Sequence, residues 1–271
     1  MFASTLLPSL WSGVLSGPVP WWEWGGCRDC EGDDMATRTR RRWEWLVLII
    51  VASLALIGVY RRAAPHEGST AYGQAAEVLG QLPVKGRAPM TGYSREQFGQ
   101  AWSDSSDPVL TSPWGHNGCG TRDDALARDL VGAKLKSGSR CRVVSGELHD
   151  PYTGRTIRWK RGRETSAVVQ IDHVVALGNA WVTGAQQLPM DRRQALANDP
   201  LNLLAVEGGA NQQKGAGDAA TWLPPNKSYR CDYVSRQIAV KKKYRLWVTS
   251  AERNAMVRAL STCPNQPLPA R

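Results

Sequence analysis

The sequence predicts an α+β domain behind a single apolar N-terminal segment. Three observations carry that expectation: an apolar run, Val168-Val169-Gln170-Ile171, that ends in Asp172-His173; short alternating stretches upstream of it; and stretches of helical character downstream, the last opened by a capping box. Neighbours on a strand face opposite ways, so Asp172 and His173 are expected to do different work, one holding a metal while the other faces substrate.

The first 34 residues are rich in Pro, Gly and Trp, as in Trp21-Trp22-Glu23-Trp24-Gly25-Gly26, and carry no amphipathic period. A start at Met35 would make them an extension outside the protein. The Cys27-x-x-Cys30 within them has no second ligand pair and no expected metal role. Residues 35–62 read as a signal anchor or signal peptide: Arg38, Arg40, Arg41 and Arg42 precede an uncharged apolar run at 45–60, and Arg61 and Arg62 follow it. The run is short for a bilayer span and long for a signal core. Its flanking charges place the N-terminus in the cytoplasm and the rest outside. The expectation is a membrane partner through residues 45–60 with the domain outside the cytoplasm, or secretion after cleavage.

Pro65, Gly68, Gly73, Gly80, Pro83, Gly86, Pro89 and Gly92 make residues 63–92 read as a flexible tether with one short helix around 72–79. The domain itself is expected at 93–264, followed by a tail at 265–271. Ser94 with Gln97 would cap a short helix through Trp102, and Thr121-Arg122-Asp123-Asp124 would cap a second through Leu130. Strands are expected at 142–148 and 155–160, joined by the turn Asp150-Pro151-Tyr152-Thr153-Gly154. After the Asp-His strand come helices at 176–185 and 191–197, a short strand at 201–206, and a helix opened by Gly208-Gly209 that carries Asn211, Lys214 and Asp218. Two C-terminal helices close the domain, one at 229–244 and one from Thr249-Ser250-Ala251-Glu252 to near Cys263.

The formal charge is +10 and the isoelectric point about 9.6. From residue 63 onward there are 27 Lys plus Arg and 18 Asp plus Glu, a net +9, so the basic character belongs to the domain. Such a balance favours nucleic acid or an anionic membrane surface as partner. Arg155, Arg158, Lys160, Arg161 and Arg163 crowd one hairpin, a candidate footprint for a DNA backbone. Four Cys fall in the domain, Cys119, Cys141, Cys231 and Cys263, widely spaced and without metal knuckles. Outside the cytoplasm they imply two disulfides; three pairings are open, and the local pairs 119 with 141 and 231 with 263 are favoured. Walker loops, Ser-His-Asp order and dinucleotide fingerprints are missing from the sequence.

An Asp and a His at one strand end, with an Asn at a helix start downstream, form a kit for metal-assisted phosphodiester hydrolysis. A hard divalent ion such as Mg²⁺, or Mn²⁺, takes oxygen ligands, which suits the Asp172 carboxylate and the Asn211 carbonyl. An imidazole ordinarily titrates near neutrality, so His173 is expected to accept a proton from the attacking water. His66, His116 and His149 read as loop or tether residues.

Ile171-Asp172-His173-Val174-Val175, Asn198-Asp199-Pro200-Leu201-Asn202-Leu203 and Asn211-Gln212-Gln213-Lys214-Gly215, in that order, resemble the HNH endonucleases with their ββα-metal core. The likeness is greatest to secreted or membrane-tethered actinobacterial members and spans about residues 93–263. It implies an endonuclease acting on DNA, with RNA or another polyanion as the alternative, and a ββα core bearing added N-terminal strands and helices and two C-terminal helices. It implies His173 as general base, Asp172 and Asn211 as ligands of one divalent ion, and Asn202 as the residue that holds the loop between the strands and orients the base. Lys214, Arg158, Lys160 and Arg163 are the candidate phosphate contacts. The spacing from His173 to Asn202 exceeds that of minimal HNH motifs, so residues 176–197 are expected to pack outside the core. The competing expectation is a non-catalytic HNH-like module that binds DNA or the cell envelope.

Overall fold

A computed structural model describes Ile49, Ile50, Ser53 and residues 74–104 and 114–269. The chain divides into two compact units, Met1–His66 and Glu67–Arg271. The second unit holds every described residue from 74 onward. The expected apolar run at 45–60 lies outside the described residues except for Ile49, Ile50 and Ser53, as do the extension at 1–34 and the anchor's flanks. Among the described residues no helix is long and apolar enough to cross a membrane.

The second unit is α+β, with seven α-helices and five strands in two antiparallel sheets among the described residues. Helix α1 (Gln74–Gln81) precedes α2 (Thr121–Asp129), which runs without a break into β1 (Leu130–Leu135). Strands β2 (Val143–His149) and β3 (Thr156–Lys160) complete a three-stranded sheet in the order β1-β2-β3. Strand β4 (Val169–His173) pairs with β5 (Leu203–Glu207), Val169 facing Glu207 and His173 facing Leu203. Between these two lie α3 (Leu177–Val182) and α4 (Met190–Asn198). Helix α5 (Gly208–Lys214) follows β5 directly and packs on both strands of the pair. Helices α6 (Arg230–Lys243) and α7 (Ser250–Leu260) end the fold.

The β4–β5 pair divides the interior because strand residues alternate in direction. Val169, Ile171, Leu203 and Ala205 enter one apolar cluster with Leu126, Leu148 and Trp159. Leu204 and Val206 point the other way, into a cluster built from Tyr152, Tyr233, Ile238 and Met256. A third cluster gathers α3, α4 and the end of α6 around Trp181, Leu196 and Tyr244. One buried ion pair crosses the base of the last two helices: Lys241 and Glu252 are both sealed from solvent and 3.0 Å apart. Thr249 and Glu252 close the expected capping box.

Several expectations need correction. The segment expected to be a tether is part of the fold from residue 74: Ala75, Leu79 and Leu82 are buried core residues, Val84 bridges to Val248, and Arg87 pairs with Asp218. Its Gly and Pro residues shape a surface-hugging path, so composition mimicked a linker. The short helix after Ser94 is one 3₁₀ turn, Arg95–Phe98, without a side-chain cap. Helix α2 begins at Thr121, after Gly120, so Thr121 lies inside the helix and caps nothing. Residues 130–135 are a strand, and the expected helix ends one residue earlier, at Asp129.

Candidate active site

His173 closes β4. Its Nε2 lies 2.9 Å from the carbonyl oxygen of Ala197 in α4. A carbonyl can only accept, so Nε2 carries the proton and Nδ1 keeps its lone pair. The indole of Trp102 stacks on the ring, with centroids 6.1 Å apart and planes 16° from parallel. Burial is the largest influence on this imidazole and lowers its pKa to about 4, and the positive charges of Lys214 and Arg95 act in the same direction. At neutral pH the ring is an uncharged base.

Both restraints on the ring are tied to one residue. Asn198, next to Ala197, accepts through Oδ1 from the backbone N–H of Ser103 (3.0 Å) and from the Thr121 hydroxyl (2.9 Å). Ser103 adjoins Trp102, which adopts a left-handed backbone with φ of 57°. Strain of that kind persists only where the surroundings impose it. The inserted segment, expected to pack outside the core, therefore supplies the partner of the His173 ring. Its role rests on a backbone carbonyl, which no side-chain pattern announces.

Asn202 is fully buried. Its Oδ1 accepts from Val175 N at 2.8 Å, and its Nδ2 donates to Leu196 O at 3.2 Å. It thus joins the exit of β4 to the end of α4, beside the carbonyl that holds His173. Asp199 accepts from the Tyr244 hydroxyl (2.7 Å) and pairs with Lys243.

Asp172 faces away from His173, as strand alternation requires, into the cluster around Tyr152. Lys214 Nζ lies 2.9 Å from its Oδ1, and the Tyr152 hydroxyl donates to Oδ2 at 2.5 Å. Lys214 Nζ also donates to the carbonyl of His173 at 2.8 Å. The lysine side chain is fully buried and that of Asp172 is 6% exposed. Burial and the neighbouring Asp172 carboxylate hold the Tyr152 hydroxyl well above the usual phenol range, so it stays a donor.

Asn211, half-buried on α5, donates through Nδ2 to Gln170 Oε1 at 2.9 Å. The approach of α5 to the segment before β4 demands Gly208: a Cβ there would sit 2.1 Å from Ala167 O. A divalent ion at Asp172 and Asn211 does not fit this arrangement, because a buried ammonium already neutralises the carboxylate and a hydroxyl takes its other oxygen. Lys214 likewise lies in the interior, out of reach of a bound phosphate.

Arg158 and Lys160 are on β3, and Arg163 follows it, so all three belong to the other sheet and its exit. Arg158 is 94% exposed and lies 3.6 Å from Glu147; Lys160 and Arg163 are also exposed. Both disulfides have the local pairing, Cys119–Cys141 and Cys231–Cys263. Sequence patterns did not reveal Trp102 and Ala197 as partners of His173, Tyr152 and Lys214 as partners of Asp172, or Arg95, an exposed cation near His173.

A family model described as the C-terminal domain of GmrSD restriction endonucleases matches residues 120–259, just over half of the chain. The chain belongs to this family. The matched span of the GmrSD C-terminal domain begins just before α2 and ends within α7, so it holds His173, Asn202, Asn211 and both partners of Asp172. The chain is also 38% identical over 191 residues to a protein of Arthroderma benhamiae named as an uncharacterized secreted protein, covering 70% of this chain and 84% of that one. No solved structure matches it.

Proposed function

We propose that this domain is an endonuclease that hydrolyses phosphodiester bonds of DNA outside the cytoplasm, with His173 as general base on an HNH-type core made by β4, β5 and α5. The observation that carries the proposal is the His173 hydrogen bond to Ala197 O, which commits Nε2–H and leaves the Nδ1 lone pair for water. Membership of a restriction-endonuclease family supports the reaction class. The net +9 of residues 63–271 supports a polyanionic substrate. Two disulfides, and the word "secreted" in the name of the Arthroderma relative, support an extracytoplasmic place.

In this proposal Nδ1 of His173 accepts a proton from a water as its oxygen attacks phosphorus, the opposite P–O bond breaks, and the departing oxygen takes a proton from solvent water to leave as an alcohol. Trp102 and Ala197 fix the ring during that transfer. Arg95, Arg158, Lys160 and Arg163 are exposed cations available to the phosphate backbone. The family's expected divalent ion enters no step here, because Asp172 does not fit it.

A binding module without turnover is the second reading, favoured by the enclosure of Asp172. Incubation of supercoiled plasmid with the oxidised full chain separates the two. Conversion to nicked circle supports the endonuclease; salt-sensitive binding with intact plasmid supports the module.

A further inference from the structure

The geometry points to the Lys214 ammonium as the resident counter-charge of Asp172, in place of a divalent ion. The inference deepens the reading above, since the pair underlies the strand end that carries the base. Four facts converge. The Lys214 side chain is fully buried and that of Asp172 nearly so, at 2.9 Å. A second hydrogen bond runs from Lys214 Nζ to the His173 carbonyl at 2.8 Å. The remaining oxygen of Asp172 is taken by Tyr152, whose side chain is fully buried. The Tyr152 ring is itself packed against Trp222 and Tyr233, with centroids 5.0 Å and 5.7 Å away.

A divalent ion needs several oxygen ligands, and Mg²⁺ keeps waters in its shell. The enclosure around Asp172 is built from an ammonium, a phenol hydroxyl and aromatic rings. An incoming dication would meet the charge of Lys214 at the same oxygen. Breaking that pair with the lysine still in the interior would leave a buried ammonium without its carboxylate, a strongly unfavourable state. Lys214 and Asp172 are therefore positioning residues: they fix the backbone carbonyl of His173 from beneath while the imidazole points away.

The test reads binding and stability without relying on cleavage, so it stands even if the chain hydrolyses nothing. Mn²⁺ is titrated into the oxidised full chain and its Asp172→Asn and Lys214→Met variants by calorimetry and by the Mn²⁺ electron-paramagnetic signal, and urea unfolding is measured alongside. The expected result is no Mn²⁺ affinity in the wild type that Asp172→Asn removes, and an unfolding midpoint lowered by Lys214→Met. The double variant, with neither charge, should regain part of that loss. If Lys214→Met does not fold, the wild type against Asp172→Asn still decides. One equivalent of Mn²⁺ bound by the wild type and weakened about tenfold or more by Asp172→Asn would overturn the inference.

Discussion

His173 donates Nε2–H to the carbonyl of Ala197, 2.9 Å away and 24 residues later in the chain. That bond joins a strand end to the helix inserted between β4 and β5. It selects the tautomer whose Nδ1 carries the lone pair, and the insertion becomes the support of His173.

Trp102 should act on turnover more than on substrate affinity. Its ring lies over the imidazole, held by a left-handed backbone whose next residue is bonded to Asn198. Trp102→Ala is expected to lower kcat with KM little changed, and Trp102→Phe to restore much of the loss. A change confined to KM would place Trp102 on the substrate instead.

Asn202→Ala should destabilise the fold by about 1–3 kcal/mol, because it leaves the buried Val175 N–H and Leu196 carbonyl without partners. Urea unfolding measures this directly. An unchanged midpoint would mean that the loop does not depend on the amide.

Reduction should cost stability at both bridges. Cys119–Cys141 spans 22 residues, and Cys231–Cys263 spans 32 and joins α6 to the turn that follows α7. Each is worth about 2–4 kcal/mol on the usual scale for loops of this size. Thermal melts with and without a phosphine reductant should differ clearly; coincident melts would count against the bridges as structural staples.

The low pKa of His173 fixes the sign of a pH effect. The folded value of about 4 lies below the ordinary histidine value of 6.5, so the fold favours the neutral ring. The stability from this group is fully present above pH 6.5 and is lost as pH falls through 6.5 toward 4. Urea midpoints measured across that window should decline less in His173→Gln than in the wild type. Equal declines would assign the acid sensitivity to other groups.

Much of the core was legible because periodicity reports burial. The strand ending in Asp172-His173, the Asp150–Gly154 turn, the C-terminal capping box and both local disulfides carry side-chain signals that survive into the structure. Legibility failed where structure is set by the backbone or by distant packing. The path of residues 74–92 was hidden because Gly and Pro serve a packed surface segment as readily as a linker. The Ala197 carbonyl has no sequence signature. Alternation placed Asp172 and His173 on opposite faces, as the structure has them, yet it could not say that Lys214, 42 residues away, would fill the place beside the carboxylate.

The most direct test of His173 as the base is the rate of plasmid nicking by the oxidised full chain beside His173→Ala, with circular dichroism to establish that both are folded. Catalysis by this imidazole predicts nicking by the wild type and a loss of about 100-fold or more in the variant. Equal rates in two folded proteins would contradict it.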